Sequence, residues 1–205
     1  MGALEFKQSD PSSNTGTSSS LIQNAGSGNS SADRPVAGGN RSPVDCGDLD
    51  MRIARDGTWF YRGSPIARPA LVKLFASVLR REPDGCYWLV TPVERGRVEV
   101  EDVPFLAVAL TVQGEGRRQH LIFRTNLDDI VTAGADHPLR VETTTSGEPA
   151  PYILVRDDLE ARLTRPVFYD LVDLGKVELI ENDSQFGVWS DGRFFRLGDP
   201  GPDWE

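Results

Sequence analysis

The chain is poor in the residues that build covalent or metal-held folds. It has only two cysteines, Cys46 and Cys86, and only two histidines, His120 and His137. One thiol sits at the edge of a polar stretch and the other inside a strand-like run, so they do not form the disulfide framework of a small secreted domain. Neither histidine stands at a CxxC or HxxxH spacing, which leaves no set of zinc ligands. Long apolar runs are missing too, and with them any segment able to span a bilayer. A secretory leader would need an uninterrupted apolar core near the start, where Glu5, Lys7, Gln8 and Asp10 stand instead. Gly2 suggests myristoylation, but residue 6 is Phe6 where that signal needs Ser or Thr. These absences lead us to expect a cytoplasmic protein with no cofactor and no metal. Positive charge is also scarce: the net charge of −9 argues against bulk nucleic-acid binding.

Aromatic residues are nearly absent from the first stretch, which is rich in Ser, Gly and Asn and cannot offset the entropy of ordering. We read residues 1–47 as a disordered tail, 48–103 as an N-terminal lobe and 104–200 as a C-terminal lobe. The first lobe opens on "MRIARDGTWFYRGSPI", a hairpin with its turn on Asp56-Gly57. Pro69 suits a first helical turn, and Leu71, Leu74, Phe75, Val78 and Leu79 follow at helical spacing. "CYWLV" and "RVEVED" read as the next strands. Further on, "FLAVALTV", "QHLIFRT", "DDIVTAG" and "LRVETT" read as a β-meander.

The grammar of the first lobe returns in "YILVRDDLEARLTRPVFYDLV". Arg156-Asp157 answers Arg55-Asp56, Arg165-Pro166 answers Arg68-Pro69, Trp189 answers Trp88, and Gly192-Arg193 answers Gly96-Arg97. Landmarks in the same order predict a tandem duplication of a β-hairpin/helix/β unit. The expected fold class is therefore α+β with two lobes, the second holding a small curved antiparallel sheet and one helix.

"DGTWFYRGSPI", "YWLVTPVE", "VEVEDVPFLA", "FRTNLDD", "HPLRVE", "RPVFYDLV" and "GVWSDGRFFRLG" together resemble the bacterial domain of unknown function 1285 family. The resemblance runs from about Met51 to Gly198. It implies a duplicated α+β core, a C-terminal half superficially like a pleckstrin-homology fold, and a ligand site between the halves. It also implies a role in bacterial signal transduction through a nucleotide-like ligand, without an assigned activity.

The residues themselves assemble no catalytic constellation. "RGSPI" lacks the pattern of a nucleophile elbow. Cys86 reads as an inert core thiol, His120 as a strand position and His137 as a turn residue. The Asp128-Asp129 and Asp157-Asp158 pairs would point to opposite faces of a strand. "GEGRRQ" lacks the third glycine of a dinucleotide fingerprint and reads as a hairpin turn. A small anionic ligand needs forked donors and an aromatic face. Arg68 and Arg165, at matched helix starts, suit the first need, with Lys73, Asn126 and Arg140 as further polar contacts. Trp59, Tyr61 or Tyr87 suit the second. The leading expectation is thus a non-enzymatic module that binds a small anionic or nucleotide-like ligand. A protein-interaction adaptor with a protein partner is the alternative, and a hydrolase of undetected type the third reading.

Overall fold

The structure, a computed structural model, describes residues 42–199. The expected tail lies outside the described residues as far as residue 41, but its last six positions do not. Four of these, 44–47, belong to the first strand, β1 (Val44–Ile53). The first half continues with β2 (Trp59–Tyr61), β3 (Ser64–Pro65), α1 (Pro69–Ser77), β4 (Leu79–Arg81), β5 (Tyr87–Val90) and β6 (Glu94–Val100). After a short linker come β7 (Phe105–Gln113), a 3-10 turn at Gly116–Arg118, β8 (His120–Thr125), β9 (Ile130–Thr132) and β10 (Leu139–Thr143). The chain then forms β11 (Pro149–Arg156), β12 (Leu159–Leu163), α2 (Arg165–Asp173), β13 (Lys176–Ile180), β14 (Asp183–Ser190) and β15 (Arg193–Gly198).

This overturns the α+β duplication. Among the described residues, fifteen strands in three sheets stand against two α-helices, so the protein is mostly β. A hairpin, a helix and three strands do follow one another in both stretches, but the wiring differs. In the first, β1 pairs in parallel with β6, so all six strands join in one sheet ordered β3-β2-β1-β6-β5-β4. In the second, β12 takes β7 as its parallel partner, giving a sheet ordered β10-β11-β12-β7-β8-β9. Strands β13-β14-β15 are left as a sheet of their own. The second half is therefore two sheets around a helix, not one small pleckstrin-homology-like sheet. The aligned landmarks recorded turn and cap chemistry, which is local; strand pairing is decided by long-range competition that such landmarks do not report.

Local chemistry explains most element ends. The two-residue hairpin turns Arg62-Gly63, Asp157-Asp158, Glu181-Asn182 and Asp191-Gly192 all have positive φ at both positions. That geometry matches the right-handed twist of the strands they join. The Asp157-Asp158 pair is thus spent on a turn. Each helix begins with an extended residue, Arg68 or Thr164, followed by a proline in the first turn, where no amide hydrogen is missed.

The helical stripe of α1 has a different phase from the expected one. Val72 and Ala76 face the sheet, while Leu74 is 61% exposed and Leu71 half-exposed. Leu79 is buried as the first residue of β4 rather than as helix. In α2, Val167 and Leu171 are the buried pair.

One apolar core runs through both halves, from Met51 to Leu197, with Trp59, Phe105 and Phe123 among its wholly buried side chains. Polar braces cross the same boundary. Arg156 donates to the Ala76 carbonyl at 2.8 Å, capping the end of α1, and pairs with Asp129 at 3.3 Å. A cation at a helix C-terminus is favoured by the exposed carbonyls there. No helix among the described residues is long and apolar enough to cross a membrane.

Candidate functional site

The linker between β6 and β7 carries two adjacent carboxylates that serve opposite halves. Glu101 turns back to the first half, accepting the Arg55 backbone N–H at 2.9 Å and pairing with the Arg52 guanidinium. Asp102 turns forward, accepting Arg162 Nη1 at 2.6 Å and the Tyr152 hydroxyl at 3.0 Å. Arg55 Nε also lies 3.8 Å from Asp102. The two acids act as a clasp between the halves, and the buried Val103 and Pro104 follow them.

Charge tuning follows from these partners. The Arg55 backbone N–H, opposed in part by burial and helped by Arg52, holds the Glu101 carboxyl below the usual carboxylate range. A depressed folded-state value means stability that is full above the unfolded value, about 4.3, and lost as the pH falls through the folded one. We expect Glu101→Gln to flatten the loss of stability on the acid side of pH about 4.3, read as melting temperature against pH. A profile parallel to wild type would refute the assignment. Burial, and then the hydrogen bond to Asp102, push the Tyr152 hydroxyl up.

Beside the clasp lies a cavity of about 300 Å³. Three guanidinium groups line it: Arg55 from the β1–β2 turn, Arg162 from the end of β12, and Arg165 from the start of α2. Leu106, Pro149 and Phe168 supply apolar wall, and Glu148 is the lone acid of the lining. The three cations differ in freedom. Arg162 is bound to Asp102 and its side chain is 22% exposed. Arg55 and Arg165 have their acids only at 3.8 Å, with side chains 68% and 80% exposed. Two unclenched forks therefore face a concave surface with an aromatic ring in its wall, which suits a phosphate or carboxylate group attached to a flat body.

The structure scatters the residues expected to form one site. Arg165 lines this cavity, but Arg68 is exposed at the start of α1, and its side chain makes no hydrogen bond or ion pair among the described residues. Lys73 is bound to Asp128 at 2.6 Å, tying α1 to the β8–β9 loop. Asn126 accepts the Leu106 N–H at 3.0 Å, behind the cavity wall. Arg140 grips Glu160 with two bonds of 2.6 Å and pairs with Glu142, and these carboxylates, Glu160 first, raise its affinity for its proton further against the effect of burial; it also lies over the Tyr152 ring. It lines a separate cavity of about 380 Å³ with Arg81, Glu82, Asp158 and Glu160, whose acids disfavour an anion.

Of the aromatic candidates, Trp59 is buried under Phe75 and Tyr87 is buried in the first sheet, while Tyr61 is 46% exposed elsewhere, at an apolar groove. Cys86 is half-buried rather than a core thiol. His137 hydrogen-bonds the Leu154 carbonyl at 3.0 Å, and His120 is exposed on β8, 3.9 Å from Asp191.

Sequence reading missed Arg55, Asp102, Tyr152 and Arg162. A signal was present in "VEVEDVPFLA", where two acids and a proline break off one strand just before the apolar run "FLAVALTV". Arg55 stands out in the sequence only as one of the repeated landmarks.

Two family profiles match, one described as a domain of unknown function, DUF1285, N-terminal domain, over residues 35–103. The other is the protein of unknown function DUF1285, C-terminal domain, over residues 104–197. No curated protein matches the chain. The chain is similar to the crystal structure of a DUF1285 family protein from Silicibacter pomeroyi DSS-3, with 51% identity and a TM-score of 0.72, covering 77% of this chain and 84% of that one. It is also similar to a DUF1285 family protein from Shewanella baltica OS155, with 28% identity and a TM-score of 0.48, covering 62% of this chain and 91% of that one. With both family domains matched in order along its length, this chain belongs to the DUF1285 family.

Proposed function

We propose that the protein is a non-enzymatic regulatory module of the cytoplasm that binds a small anionic, nucleotide-like ligand in the cavity lined by Arg55, Arg162 and Arg165. The observation that carries this reading is three guanidinium groups around one concavity on a chain of net charge −9. Like charges brought together are unfavourable unless something anionic joins them, and here Asp102 and Glu148 do so incompletely.

The clasp supplies a means of response. An anion bound by Arg55 and Arg162 competes with Asp102 for the same donors, and so loosens the link between the halves. Binding and clasp are then in opposition, and differential affinity for the two arrangements sets the signal. The one hydroxyl of the lining, Thr164, donates to the Ala107 carbonyl at 3.2 Å, and the one carboxylate, Glu148, lies 3.8 Å from Arg165, so the two are not joined as a nucleophile and its base, which supports binding without turnover.

The test is a thermal-shift screen of the full chain against nucleotides, cyclic and dinucleotide messengers, pyrophosphate and dicarboxylates. A ligand at about a hundred times its dissociation constant adds roughly 2.7 kcal/mol to apparent stability. Asp102→Asn should bind the same ligand about tenfold tighter, because its arginines are released. No shift with any anion, or turnover of one, overturns the reading.

A further inference from the structure

The anion cavity uses none of the apolar surface beside α1 and β1, part of which is left uncovered. The nine residues of α1 lie on a six-stranded sheet, with Val72 and Ala76 turned inward. Leu74, which belongs on a buried stripe by composition, is exposed, and Leu71 is only half-buried. Between α1, β1 and β5 this leaves a groove of about 510 Å³ walled by Leu49, Met51, Ile66, Leu71, Phe75 and Leu89. Tyr61 stands at the same groove, 46% exposed.

The apolar surface does not stop at the groove. Leu74 lies one turn from Leu71 on the same helix and is 61% exposed. A small molecule filling the groove leaves Leu74 in water, whereas an amphipathic helix laid along it presents apolar side chains at i, i+3, i+4 and i+7 and covers both. The groove's polar lining fixes the sign of that helix. Asp48 and Asp50 are exposed on the β1 side. The single cation among the lining residues, Arg62, is 3.9 Å from Asp50 and lies over the Tyr61 ring. On a chain of net charge −9, an acidic partner is repelled at a distance and a basic one is steered in.

We propose that this groove is the docking surface for a basic amphipathic helix of a partner protein. The proposal is independent of the anion cavity, which shares no lining residue with it.

The probe is a fluorescein-labelled helical peptide about four turns long with a leucine face and a lysine face, titrated with the full chain and followed by anisotropy. Its comparison is the same peptide with glutamate for lysine. We expect micromolar binding of the lysine peptide and binding of the glutamate peptide weaker by about tenfold or more. Two variants locate the site without disturbing the core. Asp48→Asn with Asp50→Asn removes both charges while keeping an amide oxygen for the Asp50 N–H bond and a residue type that tolerates positive φ. Leu74→Ser removes the exposed apolar tip. Each should weaken the lysine peptide about fivefold to tenfold at unchanged melting temperature. No binding, equal binding of the two peptides, or an affinity untouched by both variants would overturn the proposal.

Discussion

Gly187→Ala should lower stability by at least about 3 kcal/mol, or about 6–12 °C in melting temperature for an ordered region of this size. Gly187 is buried in β14, opposite Arg196 of β15, where the pairing slips by one residue after Phe186. A methyl group there would overlap the Phe195 carbonyl oxygen and stand 2.7 Å from the Phe194 ring. The ring can turn, but the carbonyl belongs to the ladder and cannot move without opening the sheet. Gly198→Ala is the matched control on the neighbouring strand, since nothing lies within 4 Å of its added methyl. We expect that change to stay within about 0.5 kcal/mol of wild type. Equal melting temperatures for the two variants, measured by calorimetry, would contradict the bulged pairing of β14 and β15.

Asp102→Ala is the second large effect. It strips the acceptor from both Arg162 and the Tyr152 hydroxyl, and Tyr152 is buried. Removing one partner of a buried pair costs about 3–5 kcal/mol because the other charge stays behind. Arg162 keeps some contact with water, its side chain being 22% exposed, so we expect the lower end, about 3 kcal/mol. Arg162→Ala made in the Asp102→Ala background should recover part of that loss, because the stranded cation is gone. Urea unfolding of the single and double variants measures this directly. A double variant as unstable as the sum of the singles would show that Asp102 and Arg162 do not act as a pair.

How far the sequence speaks for this fold depends on how local each feature is. Strands β5, β7, β8 and β10 could be read from their residues, as could the hairpin turn before Trp59 and both proline-led helix starts. The phase of α1 could not. Leu71, Leu74, Phe75, Val78 and Leu79 fit a helical stripe well, but the chain leaves the helix at Ser77 and buries Val72 and Ala76 in its place. Small residues pack a short helix close to a sheet, and the larger leucines then fall outside. Sheet wiring was invisible for a different reason. Whether β12 pairs with β7 or a later strand depends on which apolar strand is free, and "FLAVALTV" offers itself from far upstream in sequence.

The site shows the same division. The place of Arg165 before a proline points to a ligand contact, and it does line the cavity. Arg68 has the same place before a proline but does not line the cavity, because matched positions in two helices converge only if the surrounding units are matched too. Arg55 and Arg162 enter through Asp102, a contact made across the linker that spacing along the chain does not encode.

The central claim is that Arg55 and Arg165 hold an anion. Its most direct test is a calorimetric titration of the full chain with the tightest-binding nucleotide of the screen, with pyrophosphate as the bare-anion comparison. The same titration is run on Arg55→Ala and Arg165→Ala. Both side chains are exposed and loosely paired, so neither change should move the melting temperature by more than the equivalent of about 0.5 kcal/mol. A charge-assisted hydrogen bond is worth about 1.5–3 kcal/mol, so each variant should bind the nucleotide at least about tenfold more weakly. Affinity unchanged in both variants would place the anion elsewhere and contradict the account.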